Sequence, residues 1–332
     1  MNAGKLDASA LLSRVFPYTG NKREEVILRS AIGEDSAAIA LDEWCCVFSS
    51  DPITGAVSDS GWLAVHVSCN DVASNGAEPV GVMLTILMPE KATDEDVEKI
   101  MQSADRAAKE LGIEIFGGHT EFTGGLVQPI LCATAVGKVK KGDLVTSSGA
   151  RPGDDIVLTK GAGIEGTAIL ATDYEHYLQN VIPSDLLQNA KNFMQWISVV
   201  QEGLLAAKFG ASAMHDVTEG GVLGALFEVA EASGVGIEVN KDCIPLFSET
   251  KAICDVVGID PLKLISSGAM LITIQNGKNL VGKLQAKGIK AAVIGKVVAG
   301  NRKVLLDGEQ MVEINKPESD ELWRAKKIIE GK

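Results

Sequence analysis

Residues 61–90 read GWLAVHVSCNDVASNGAEPVGVMLTILMPE, and this stretch decides the fold class. Residues 61–76 would form a helix with small and apolar side chains on nearly every side, which predicts that it is buried. Gly76 and Pro79 are the signals that stop it. Residues 80–88 form a continuous apolar run that stops at Pro89 and predicts a buried strand. A buried helix followed by a buried strand indicates an α/β domain.

Helices and strands continue to alternate on both sides of this stretch. Residues 93–111 carry apolar side chains at a 3.6-residue period, begin with Thr93 and Asp96 in the pattern of a capping box, and stop at Gly112. Strand-like runs lie around them at residues 26–28, 37–41, 44–49, 113–116 and 126–139.

A cluster of turn residues, SSGARPGD at 147–154, separates this half from a second one. We therefore predict two α/β domains of similar size, at residues 1–148 and 149–332. In the second half, the sequence pattern predicts helices at 166–173, 198–209, 221–232, 249–257 and 277–287. It predicts strands at 156–159, 236–239, 269–274 and 291–298.

Composition narrows the class of protein. The chain has 332 residues and a formal net charge of −13, which disfavours nucleic acid as a partner because phosphate binding draws on Lys and Arg. No apolar run reaches the ~20 residues of a membrane span, and the first residues lack the pattern of a secretory signal. The six cysteines contain no CxxC pair, so we expect reduced thiols in a cytoplasmic protein.

Common nucleotide-binding motifs are absent or incomplete. No Gly-Lys pair is followed by Ser or Thr, so there is no P-loop, and the protein-kinase signatures are missing. GAGIEG at residues 161–166 matches the GxGxxG pattern of NAD-binding sites, but no second strand ending in an acid follows it. We favour a glycine-rich turn that lets backbone approach a ligand or another chain, and keep NAD binding as an alternative.

Four aspartates share a similar setting among small residues. They are Asp35 in GEDSAA, Asp51 in SSDP, Asp71 in NDVASNG and Asp216 in MHDVTEGG. A polyphosphate cannot lie among carboxylates unless a divalent cation lies between them, and Mg²⁺ prefers oxygen ligands. The alternative is structural, because Asp at strand ends and turns commonly closes Asx-turns.

These motifs, in order, resemble those of the PurM-like superfamily. The resemblance rests on GEDSAA, SSDP, NDVASNGAEPVG, GGHT, GARPGDDIVLTK and DVTEGGVLGAL, between about residues 30 and 275. It implies a two-domain α/β (α+β) fold, in which strands of the N-terminal domain join those of a second subunit into a β-barrel of a homodimer. It also implies ATP and Mg²⁺ near that interface, with the C-terminal domain closing over them.

The resemblance assigns roles to individual positions. Asp35, Asp51, Asp71 and Asp216 match metal ligands, and Asp51 and His119 match positions of catalysis. The matching ATP-binding positions are Asp35, Ser49, Ser50, Asn70, Gly117, Gly118, Thr120 and Thr218. Several relatives carry an acid where His119 stands, and Glu121 is a candidate replacement for that ligand.

Departures from the pattern separate this chain from particular members. HypE-like members act on a cysteine at the C-terminus, whereas this sequence ends AKKIIEGK with no cysteine after Cys254, so we expect no chemistry on its own tail. Selenophosphate synthetases need an N-terminal cysteine or selenocysteine, and residues 1–25 contain no cysteine. Thiamine monophosphate kinases carry an ISDG motif where DVTEGG stands.

Four further positions have structural and functional interpretations. His215, like His119, is either a phosphate contact or acid/base group, or a histidine satisfied at a strand end. We expect His66 to be a core residue. Lys160 and Arg151 are expected to be surface cations near the domain boundary, with phosphate contact as the alternative.

The expected function is Mg²⁺-dependent use of ATP to phosphorylate an oxygen of a small molecule or of a protein-borne carboxamide. One alternative is a nucleotide-binding accessory protein without turnover. Another is a phosphotransferase like thiamine monophosphate kinase or selenophosphate synthetase.

Overall fold

The computed structural model describes residues 6, 8–53, 59–317 and 319–331, which form two mixed β-sheets with helices packed on them. Residues 1–5 lie outside the described residues. They belong to the first predicted domain and to the stretch in which a secretory signal was sought. The N-terminal half contains α1 (Ala8–Ala10), a π-helical turn (Leu11–Val15), β1 (Val26–Leu28), β2 (Ala37–Leu41), β3 (Trp44–Ile53), α2 (Ser60–Ser74), β4 (Glu78–Pro89), α3 (Asp94–Leu111), β5 (Glu114–Thr123) and β6 (Ile130–Lys140).

The N-terminal sheet has the strand order β1-β2-β3-β6-β4-β5 and is antiparallel except for the pair β4–β5. Helices α2 and α3 cover one of its faces. The opposite face carries exposed Trp44, Met83 and Phe116, with half-buried Phe48 and Val136 between them. This face is therefore largely apolar, and no helix of the described part of the chain covers it.

Helix α2 is the centre of the N-terminal core, as its composition predicted. All but one of its residues are buried, because the helix packs on the sheet, on α3 and on a helix of the second half. A Cβ on Gly61 would lie 2.2 Å from the carbonyl oxygen of Ile100 in α3. The small residues of α2 therefore permit close approach of its neighbours. The predicted capping box of Thr93 and Asp96 at the start of α3 is confirmed.

The second half forms a seven-stranded sheet with the order β13-β12-β9-β11-β7-β10-β8, in which only β12 and β9 pair in parallel among the described strands. Its elements are β7 (Asp155–Thr159), α4 (Ile164–Asp173), α5 (Glu175–Leu178), α6 (Ser184–Asn192), α7 (Val200–Lys208), β8 (Ala213–Asp216), α8 (Gly221–Ser233), β9 (Gly236–Asn240), α9 (Ser248–Val257), β10 (Met270–Ile274), α10 (Gly277–Gln285), β11 (Ala291–Val298), β12 (Lys303–Asp307), β13 (Gln310–Glu313) and α11 (Glu321–Ile329).

The two halves pack directly against each other through α2 and α7. A Cβ on Gly203 of α7 would lie 2.3 Å from the carbonyl oxygen of Ala73 in α2, so only glycine allows this contact. Asn75, next to α2, donates from Nδ2 to the carbonyl oxygen of Val145 at 2.6 Å. The end of α2 is thereby held close to the segment that leads into the second half of the chain.

Most elements lie within a few residues of their predicted positions, and β11 has the predicted bounds. The predictions omitted α1, α5, α6, β8, β12, β13 and α11. No described helix combines the length and the apolar character that crossing a membrane requires.

Candidate metal centre

The four aspartates come from four separate elements, and three of them contact Ser49. Asp35 precedes β2, Asp51 lies on β3, Asp71 on α2, and Asp216 at the end of β8. The hydroxyl of Ser49 donates to Oδ2 of Asp71 at 2.5 Å. The hydroxyl oxygen of Ser49 also lies 3.3 Å from Oδ2 of Asp51 and 3.2 Å from the carbonyl oxygen of Asp35.

The electrostatics of Asp71 show that all four carboxyls share one region. Its pKa is raised well above the ordinary value by burial first, and then by the negative charges of Asp216, Asp51 and Asp35. Asp71 is only 4% exposed and Asp216 is fully buried. Like charges this close are unfavourable unless protons or cations compensate them.

His215 lies against this group as a buried cation. Its Nδ1 is 2.6 Å from the carbonyl oxygen of Asp216 and 3.3 Å from Oδ2 of Asp35, while Nε2 is 3.2 Å from Oε2 of Glu228. Burial lowers the pKa of His215, but Asp35, Glu228 and Asp216 outweigh it and raise the pKa to about 10. The imidazolium therefore pairs with one acid from each half of the chain.

Local packing fixes the loop that carries Asp35. Gly33 has a φ of +80°, and a Cβ there would lie 3.3 Å from the carbonyl oxygen of Glu228 on α8. The carboxylate of Glu34 accepts a hydrogen bond from the backbone N–H of Ser147 at 3.4 Å. Asp35 is thus positioned by contacts of its neighbours with α8 and with the segment between the two halves.

The donor set fits Mg²⁺. Carboxylate and hydroxyl oxygens are the ligands that this ion prefers, and the mutual repulsion that raises the pKa of Asp71 is what a divalent cation would relieve. Asp35, His215 and Asp216 each offer one atom within 4.8 Å of the others. Because both nitrogens of His215 face oxygens of other groups, its ring suits positioning of the aspartates better than metal ligation.

Two predicted ATP-binding residues next to the aspartates point elsewhere. Ser50 faces the open side of the sheet, where its hydroxyl lies 2.9 Å from that of Thr134. Asn70 is fully buried, donates to the carbonyl oxygen of Ile197 and accepts from the N–H of Val199, both at 2.8 Å. Its amide connects the two halves of the chain, which is a structural rather than a ligand-binding contact.

The GGHT motif lies on the edge strand β5, apart from Asp51 of its own chain. Gly117, Gly118, His119 and Thr120 lie exposed on β5. Two strands, β6 and β4, separate β5 from Asp51 on β3, which at ~4.8 Å per strand spacing amounts to about 14 Å. His119 contacts Oε2 of Glu121 at 3.1 Å. By contrast, Thr218 is half-buried in the loop just after Asp216.

One buried ionisable group, Lys160, differs from the sequence-based expectation. Lys160, expected at the surface, is largely buried; its Nζ pairs with Glu202 and donates to the carbonyl oxygens of Ser198 and Gly268, both at 2.7 Å. All its donors are satisfied by protein, so a phosphate contact is not available. Arg151 is exposed and His66 is buried, as expected.

Two family models match the chain. The model of the AIR synthase related protein, N-terminal domain, matches residues 33–139, and that of the C-terminal domain matches residues 151–308. A protein of Methanocaldococcus jannaschii named for hydrogenase expression and formation is 32% identical over 73% of this chain and 71% of its own length. Carbamoyl dehydratase HypE of Cupriavidus necator is 31% identical over 72% of this chain and 68% of its own.

Solved structures share the architecture. HypE in a HypE–HypF complex superposes with a TM-score of 0.77 at 24% identity, covering 93% of this chain and 100% of that one. HypE solved in complex with ATP gives a TM-score of 0.70 at 20% identity, covering 96% of this chain and 97% of the other. These likenesses confirm the predicted two-domain PurM-like α/β fold.

Proposed function

The chain belongs to the AIR synthase related family, and on that basis we propose that it binds ATP with Mg²⁺ at Asp35, Asp51, Asp71 and Asp216. It then uses ATP to phosphorylate, and so activate, an oxygen of an acceptor. The observation that carries the proposal is the grouping of these aspartates: Ser49 contacts the carboxyls of Asp51 and Asp71 and the carbonyl oxygen of Asp35, and the charge of Asp216 acts on Asp71. A relative is named a carbamoyl dehydratase, and a structural neighbour was solved with ATP.

The chain supplies position and charge balance to this reaction. Bound Mg²⁺ would neutralise the phosphates and the four carboxylates. Asp51 and Asp71 would hold it from the N-terminal half, Asp216 from the second half, and Asp35 from a loop that His215 pairs with. Because Asp216 and Asp71 are buried, water is largely excluded from their side of the centre, which strengthens electrostatic interactions there. Catalysis of this kind depends on orientation more than on acid/base groups.

We also propose that the protein is a cytoplasmic homodimer whose interface includes the open face of the N-terminal sheet. Exposed Trp44, Met83 and Phe116 form an apolar surface that a second copy would cover. This arrangement bears on the predicted catalytic role of His119. Since β5 lies about three strand spacings from Asp51 of its own chain, His119 can act only if it serves the aspartates of the other subunit.

A second candidate is a nucleotide-binding accessory protein without turnover. It is favoured by the distance between His119 and the aspartates of the same chain. Phosphotransfer like that of thiamine monophosphate kinase or selenophosphate synthetase also stays open, since a selenide, water dikinase is 25% identical over 97% of this chain. These candidates differ in the acceptor that is phosphorylated, which is either a small molecule or a protein-borne carboxamide, or is absent in the accessory protein.

Product analysis of ATP turnover tests the proposal. The wild type should convert ATP to ADP and phosphate slowly in the presence of Mg²⁺, and Asp51→Asn should lose most of this activity. Asp173→Asn, a change of an exposed acid at the end of α4, is the control. Equal rates in all three proteins would contradict an enzymatic role and favour the accessory protein.

A further inference from the structure

The glycine-rich turn GAGIEG holds one buried acid, Glu165, in a fixed position. Gly163 begins α4 with a φ of +69°, and the backbone N–H of Ile164 donates to Oγ of Ser266 at 3.1 Å. The N–H of Gly166 donates to the carbonyl oxygen of Ile265 at 3.0 Å. The glycines thus let segment 264–266 of the same chain approach, and Glu165 lies between two anchored neighbours.

The carboxyl of Glu165 has an unusual environment. It is only 6% exposed, and among the described residues its Oε2 has no hydrogen-bond partner. Its pKa is raised to about 7, chiefly by burial; a hydrogen bond from Ser267 opposes the rise, and the charges of Asp320, Glu219 and Asp216 add to it. Asp216 and Glu219 belong to the segment at the end of β8, so the carboxyl lies within electrostatic reach of the candidate metal centre.

A structural role does not account for this side chain. Asp320, an equally buried acid next to it, has both oxygens in use, since Oδ2 accepts from the N–H of Gly220 and Oδ1 from that of Leu322, each at 2.7 Å. Asp320 therefore caps two helices, while one oxygen of Glu165 has no such partner. The described residues also give Glu165 no place in a three-residue metal group.

We propose that Glu165 binds the acceptor substrate, accepting a hydrogen bond from a nitrogen-bearing group such as an amine or a primary amide. This proposal rests on the proposed function, because it places an acceptor beside the phosphate-binding aspartates. The acids that surround Glu165 repel phosphate and favour a donor or a cation. A buried carboxylate oxygen without a partner is satisfied when a ligand brings an N–H to it. Glu165 would then select the nitrogen end of the acceptor.

The first test needs no ATP. Glu165→Gln keeps the shape of the side chain and removes its charge, and Glu249→Gln is a matched control, because Glu249 is also the second residue of a helix, α9. In urea unfolding at alkaline pH, we expect Glu165→Gln to have a midpoint equal to or above that of the wild type. A clear fall in the midpoint for Glu165→Gln alone would assign a structural role to Glu165 and overturn the proposal.

The second test uses small probes with and without nitrogen. In the wild type, acetamide, which carries both an N–H group and an oxygen to phosphorylate, should stimulate ATP turnover, and acetate and methanol should not. Glu165→Gln should lose about tenfold in kcat/KM for the stimulating probe, as expected for a hydrogen bond to a charged group, with an unchanged KM for ATP.

The outcomes separate the two proposals. Equal stimulation of Glu165→Gln and wild type, stimulation by the oxygen-only probes, or no stimulation by acetamide in a protein that binds ATP would each overturn the role of Glu165. If ATP with Mg²⁺ does not bind the wild type, the proposed function fails instead. The urea comparison still decides whether Glu165 is structural.

Discussion

Replacing His215 by Gln would remove the buried cation between Asp35 and Glu228 while keeping a polar side chain of similar size. The rise of its pKa from 6.5 to about 10 corresponds to about 5 kcal/mol at ~1.36 kcal/mol per pH unit. Breaking a buried ion pair costs roughly 3–5 kcal/mol, which agrees in size. We therefore expect His215→Gln to lose roughly 3–5 kcal/mol of unfolding free energy in metal-free protein.

The loss should depend on pH with a defined sign. Because folding raises the pKa of His215, the ion pairs stabilise the folded state fully below pH 6.5 and stop doing so as the pH rises through about 10. Urea unfolding with a chelator present, below pH 6.5 and again near pH 10, measures this. His176→Gln, a change of an exposed histidine on α5, is the control. A loss at low pH no larger than that of the control, or an equal loss at both pH values, would refute the reasoning.

Three further substitutions test other parts of the structure. Lys160→Met should cost roughly 3–5 kcal/mol because it leaves Glu202 charged and buried, and the double change with Glu202→Leu should recover most of it in urea unfolding. No recovery would contradict the pairing. Asp71→Asn should raise the thermal stability of metal-free protein, since burial and three aspartates disfavour its charge, and should abolish stabilisation by ATP with Mg²⁺; a fall in metal-free stability would argue against this. Met83→Glu on the open sheet face should convert a dimer to a monomer in light scattering, whereas Met311→Glu on β13 should not, and a monomeric wild type would exclude the proposed interface.

Periodicity predicted the long elements because the spacing of their apolar residues along the sequence shows which faces are buried. Helix α3 carries its apolar side chains on one face, and α2 is apolar on all faces, so both were identified with bounds close to those observed. Helix α5 has four residues and β13 has four, which is too short for a period to be visible. Helices α6 and α11 each have nine residues, of which only two are buried. Most of their side chains are therefore partly or fully exposed, and two buried positions are too few to show a clear apolar period.

The candidate site was predictable only in part. The aspartates were found because each lies among small residues, a local feature that marks close approach. Their mutual distances, however, depend on how α2 and β8 pack, which no local pattern gives. His119 was grouped with them by motif order alone, and the strand order of the sheet places it on another strand. Lys160 and Glu165 looked ordinary because burial of a charged residue is a property of the tertiary fold.

The central claim is that the four aspartates bind ATP through Mg²⁺, and calorimetric titration of ATP tests it most directly. Wild-type protein should bind ATP in the presence of Mg²⁺ and bind it at least about tenfold more weakly in a chelator, since phosphates and carboxylates then repel one another. Asp216→Asn should weaken binding in Mg²⁺ to a similar degree. Equal affinity with and without Mg²⁺, or an unchanged affinity in Asp216→Asn, would contradict the claim.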